Sequence, residues 1–112
     1  MEGLELISFN IISNVGSAKS MIMESMKKSR TGDFESAEKL IEEANKYLLI
    51  GEKEHFQVIT REAKEKNIEV TILFMHAEDQ LMSTVTLRDI ANEVLENYKM
   101  MYELKNLVEG KV

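Results

Sequence analysis

The chain has 112 residues, the length of one domain spanning 1–112. Its 14 basic and 20 acidic residues leave a formal net charge of −6, which excludes a non-specific nucleic-acid binder, since such a protein needs basic charge to displace counterions from phosphates. Cysteine is absent, so disulfides, thiolate metal sites and a cysteine nucleophile are excluded.

No proline and only five glycines interrupt the chain, so long helices are unobstructed. Apolar residues make up 44%, too many for a disordered chain. The stretch from Leu6 to Ala18 carries no charge, but Ser8, Asn10, Ser13, Asn14, Gly16 and Ser17 make it a poor membrane span. No basic start precedes an apolar core, as a secretory signal would have, so the cytoplasm is the expected compartment.

The pattern predicts a helix over about 4–30. Leu4, Ile7, Ile11, Val15, Ala18, Ile22 and Met26 recur at spacings of three and four and form one stripe. Gly16 lies inside it, marking either a close backbone approach by a neighbour or a tolerated weak spot. Thr31-Gly32-Asp33 is the first break. Gly32 suits a left-handed helix end, and Asp33 suits the start of the next helix.

A second helix is expected over about 34–63. Its stripe is Ala37, Leu40/Ile41, Ala44, Leu48, Gly51, His55 and Ile59, and Glu38, Glu42, Lys46 and Lys53 form the wet face. Lys64-Glu65-Lys66-Asn67 reads as a tight polar loop. A third helix is expected over about 69–108, starting between Ile68 and Thr71. Short connections between long helices make antiparallel neighbours, so the expected protomer is all-α, an up-down-up three-helix bundle.

Residues 70–87 break the amphipathic pattern. They read VTILFMHAEDQLMSTVTL, and only Glu78 and Asp79 are formally charged. A helix apolar on all sides is buried on all sides, yet a three-helix bundle covers only one face. The expected cover is the same segment from other copies, which implies a homo-oligomer. The alternative is a strand over Ile68–Met75, where β-branched residues concentrate. On the helical reading, a seam with coiled-coil spacing runs through Ile72, His76, Asp79, Ser83 and Thr86. His76 and Asp79, three apart, share one face, so an imidazole and a carboxylate meet in the least charged part of the chain. A satisfied structural histidine and a functional one both fit this pattern. Glu52 and His55 form a single Glu-x-x-His unit, but Leu73 stands three residues before His76, so the second unit of a di-iron bundle is missing. His55 therefore reads as a residue that caps or fills the bundle.

The run His76-Ala77-Glu78-Asp79-Gln80-Leu81-Met82 resembles the active-site signature of the lactose/cellobiose-family enzyme IIA of the phosphoenolpyruvate-dependent sugar phosphotransferase system, usually HAQDHLM. Ile11-Ile12 through Gly16, Ala18, Ser20 and Met23-Glu24 are similar to the family's first helix. Gly32-Asp33-Phe34 with Ala37 resembles its first turn, and Ile59 through Glu62-Ala63 the end of its second helix. The resemblance implies a homotrimer of three-helix protomers, nine helices in all. It implies that His76 is a phosphoacceptor, loaded by the phosphocarrier HPr and unloaded to a cysteine of enzyme IIB, while the membrane enzyme IIC moves the sugar. Asp79, once from each protomer, would hold a divalent cation, usually Mg2+, on the trimer axis. Two neighbours depart from the pattern. Gln80 replaces a second histidine and cannot titrate, and Glu78 replaces a glutamine and adds negative charge beside the site. In the second helix the family commonly has a histidine and a Gln-Thr pair, where this chain has Glu52, His55 and Phe56. A non-catalytic helical oligomer with a regulatory or scaffold role is the competing reading.

Overall fold

The computed structural model describes residues 3–110. They form α1 (Leu4–Arg30), α2 (Phe34–Glu65) and α3 (Ile72–Val108). No strand occurs among them. The three helices lie alongside one another in a rod of 65 × 19 × 19 Å. α1 packs along both of its partners, while α2 and α3 meet over less surface.

The core follows the helical stripes. Ile7, Ile11, Val15, Ala18 and Ile22 of α1 meet Ala37, Ile41, Ala44, Leu48 and Val58 of α2 and Phe74, Ala77, Leu81, Ala91 and Leu95 of α3. Three serines share the α1 stripe and are fully buried, but each hydroxyl has a backbone acceptor. Ser8 donates to Leu4 O at 2.7 Å and Ser29 to Ser25 O at 3.0 Å. Ser25 donates to Ala37 O at 2.8 Å, tying α1 to α2 near their turn. A buried hydroxyl without such a partner would be costly.

The first turn forms as its residues dictate. Gly32 takes φ +83°, a left-handed conformation. A side chain there would also strike the Tyr102 ring, whose Cε1 would lie 3.0 Å from an added Cβ. Tyr102 closes the turn by donating to Arg30 O at 2.9 Å and packing edge-on against Phe34. The Asp33 carboxylate accepts from Ser36 N at 3.2 Å. That bond holds its pKa below the ordinary 3.8.

The second connection is longer than the expected tight loop. α2 continues to Glu65 instead of stopping near Ala63, and Lys66 ends it in the left-handed region at φ 57°. α3 starts at Ile72, later than the expected 69, because Thr71 is extended and its hydroxyl accepts from Phe74 N at 3.0 Å. The strand alternative over Ile68–Met75 fails for the same reason: from Ile72 onward the chain is helical.

Gly16 is exposed with nothing within 4 Å of an added Cβ, so no neighbour among the described residues approaches it closely. The close approach falls at Gly51, where an added Cβ would lie 3.1 Å from Val15 Cγ2 and 3.5 Å from Leu81 Cδ1. All three helices converge there. Gly51→Val should therefore overpack the core and lower stability by about 1–3 kcal/mol, read as a lower urea midpoint with helicity retained in the folded state.

Candidate functional site

The helical period decides where the signature residues point. Phe74, Ala77, Leu81 and Thr84 of α3 are buried against α1 and α2. His76 and Asp79 lie between them in sequence and are therefore turned outward, and both are exposed. Neither forms a hydrogen bond or ion pair with another described residue. Both ring nitrogens of His76 are thus unengaged, and the Asp79 carboxylate has no ion-pair partner among the described residues. Gln80, one turn along from His76, is half-buried.

The surface around them is apolar. Ile72 is 86% exposed, Met75 58%, Met82 62% and Ile90 50%. Ile72, with Ser83 and Thr86, also exposed, belongs to the seam read from the sequence. One protomer leaves this face uncovered, a rare arrangement for side chains of that size clustered on one helix.

Two readings of the 70–87 segment change: not all of its apolar side chains are left for other copies to cover, and Glu78 is not beside His76. Leu81 is 4% exposed and faces its own bundle, so it belongs to the protomer core and not to a contact between copies. Glu78 does not lie beside His76. Residues two apart sit about 200° apart around a helix, and Glu78 is directed at α2. Its Oε2 lies 2.6 Å from Nε2 of His55. The His55 ring stacks on Phe74, with centroids 5.8 Å apart and planes within 10°. His55 is thus a half-buried residue with a polar partner, more than a simple filler. Sequence reasoning noted both residues and missed their contact, because nothing in a chain pattern sets the relative rotation of two helices.

Two further polar ties join α2 to α3 away from this end. Lys99 Nζ lies 2.7 Å from Glu38 Oε1, and Arg88 Nη1 donates to Asn45 Oδ1 at 3.2 Å. The hydrogen bond to Glu38 holds the Lys99 pKa above its ordinary value.

With this geometry in place, likeness to known proteins can be read. Residues 6–99 match the family described as PTS system, lactose/cellobiose-specific IIA subunit. A PTS lactose-specific EIIA component from Staphylococcus aureus (strain N315) is 33% identical over 98 residues, covering 88% of this chain and 95% of that protein. The PTS cellobiose-specific enzyme IIA of Bacillus anthracis superposes with a TM-score of 0.85 at 27% identity, covering 92% of this chain and 95% of the other. PtcA from S. mutans gives a TM-score of 0.85 at 36% identity, over 88% of this chain and 97% of that one. Fold and site together define a helical component of a sugar phosphotransferase system. The chain belongs to the lactose/cellobiose-specific IIA family, as its signature implied. No helix among the described residues is long and apolar enough to cross a membrane.

Placing Leu81 in the core has a testable outcome. Leu81→Asp buries a carboxylate without a partner and should cost about 3 kcal/mol or more. Circular dichroism should register loss of helix, and sedimentation should not find a well-folded lone protomer.

Proposed function

We propose that this protein is the phosphocarrier of its sugar phosphotransferase system, with His76 as the phosphoacceptor. The observation that carries the reading is the exposed, unpartnered imidazole on an otherwise apolar helix face. Neutral imidazole is a nucleophile near neutral pH, and its phosphoryl adduct is reactive enough to pass its cargo on. A ring nitrogen of His76 attacks the phosphorus carried by HPr. The new N–P bond forms as the bond to the donor breaks, and that electron pair leaves with the donor. A cysteine thiolate of enzyme IIB then attacks the same phosphorus, forming an S–P bond as the N–P bond breaks and returning the imidazole to its neutral form. The phosphoryl group adds nearly two negative charges, so an outward histidine suits the chemistry better than a buried one. The sugar delivered by the partner enzyme IIC is of the lactose, cellobiose or chitobiose type.

The protomer is further proposed to act as a homotrimer, with the α3 seams of three copies packed together. The exposed Ile72, Met75, Met82 and Ile90 support this arrangement, since it removes their surface from water. It also gathers one Asp79 from each copy. Among the described residues no group of three or more His, Cys, Asp or Glu in a single chain is arranged to hold a metal. An axial ion therefore requires all three copies. Carboxylate oxygens suit a hard cation such as Mg2+, and the ion would offset the mutual repulsion of the three Asp79 groups.

Incubation with phosphoenolpyruvate, enzyme I and HPr should add an acid-labile phosphoryl mass that His76→Ala abolishes. A wild-type chain that takes no label from a matched HPr would favour the scaffold reading. Asp79→Leu should leave the trimer assembled and remove the metal, because leucine replaces three repelling charges with packing. Sedimentation with metal analysis tests this, and dissociation of the variant would make the ion the main force of assembly.

A further inference from the structure

The contact between His55 and Glu78 gives the second histidine a role. A carboxylate only accepts hydrogen bonds, so His55 Nε2–H is the donor in the 2.6 Å contact to Glu78 Oε2. The donor is held in place. Its ring lies flat on Phe74, which is 6% exposed, and the His55 side chain is 16% exposed. Phe74 is anchored in turn by its backbone N–H, which donates to the Thr71 hydroxyl at the helix start. The pair therefore joins α2 to the first turns of α3 with a fixed geometry, unlike an exposed ion pair between two long side chains.

Among the described residues His55 is the one basic side chain that pairs with Glu78, although Lys53 also lies on α2. On α3, Glu78 and Asp79 are the only charged residues between Ile72 and Leu87. On α2, Glu52 stands one turn before His55 and is acidic. α1 is uncharged from Leu6 to Ala18. Among the described residues no Lys or Arg forms an ion pair with Glu78. Without His55, a 40% exposed carboxylate on a flexible stem would be loose two residues from His76. Two residues rise about 3 Å along a helix axis, a short span beside the roughly 8 Å over which charges act in physiological salt. The positions themselves carry the same message. Glu78 is an added acid relative to the family signature, and the side chain it touches is His55 of the second helix.

We propose that His55 is a positioning residue for the phosphoryl-transfer site. The helix period already turns Glu78 toward α2; by donating to it there, His55 fixes that carboxylate and partly offsets its charge, so it adds less repulsion to an incoming phosphoryl group. The proposal rests on His76 being the phosphoacceptor.

The test compares phosphorylation rates against the concentration of phosphorylated HPr for the wild-type chain, His55→Ala, His55→Gln and the double variant His55→Ala/Glu78→Gln, with thermal midpoints measured alongside. His55→Ala should raise the apparent KM for phosphorylated HPr about three- to tenfold and leave the maximal rate nearly unchanged, as expected for one freed charge near the approach path. His55→Gln keeps an N–H donor and should stay close to wild type. The double variant should recover the KM without recovering the thermal midpoint, since the bond between helices is still missing. A purely structural His55 would give no such separation. An unchanged KM in His55→Ala, or a defect that persists in the double variant, overturns the positioning role alone. A wild-type chain that accepts no phosphoryl group overturns the phosphocarrier reading and this role together.

Discussion

Burial of one stripe of α3 governs the molecule. Phe74, Ala77, Leu81, Thr84, Ala91 and Leu95 must face α1 and α2 to complete the core. With 3.6 residues per turn, that choice leaves no freedom for the intervening side chains. His76, Asp79, Met82 and Ser83 are forced outward, and Glu78 is swung toward α2. The face that carries His76 and Asp79 is thus set by hydrophobic packing on the opposite face of α3. This is why a core residue such as Leu81 matters to the site as much as its polar neighbours.

The same constraint explains the odd composition of the 70–87 segment. An amphipathic helix would have charged residues where this one has Ile72, Met75 and Met82. The charge missing there is concentrated elsewhere, on the outer surfaces of α2 and the later part of α3. Polar ties between those two helices are spaced along their length: His55 to Glu78 at the signature end, Arg88 to Asn45 in the middle, and Lys99 to Glu38 toward the far end. They occupy the seam where α2 and α3 meet over less surface than either shares with α1. Polar contacts with directional geometry help set the rotation of α3 where apolar contacts are fewer.

Glu78 shows how an isolated sequence departure can mislead. Read alone, an acid two residues from the proposed phosphoacceptor looks like added repulsion. Its i+2 position turns it about 200° from His76, and His55 gives it a donor. Gln80, by contrast, remains on the side of His76 and keeps hydrogen-bonding capacity without titration.

Much of this was legible in the residues themselves. The periods of three and four in the first two stripes, Gly32 and Asp33 at the first turn, and the spacing of His76 and Asp79 are local properties of the chain, and short-range sterics and hydrogen bonding act on them directly. The helix count, the antiparallel order and the shared seam face of His76 and Asp79 follow from that. Tertiary structure alone decided the rest. The loop between α2 and α3 ended where the hydroxyl of Thr71 met the amide of Phe74 and Lys66 turned left-handed. The tight approach fell at Gly51 and not Gly16, because only Gly51 sits where Val15 and Leu81 converge. His55 found Glu78 across 23 residues of chain. Each of these depends on how far one helix is rotated and shifted against another. That choice is made by the summed packing of many side chains and leaves no mark in any single stretch of sequence.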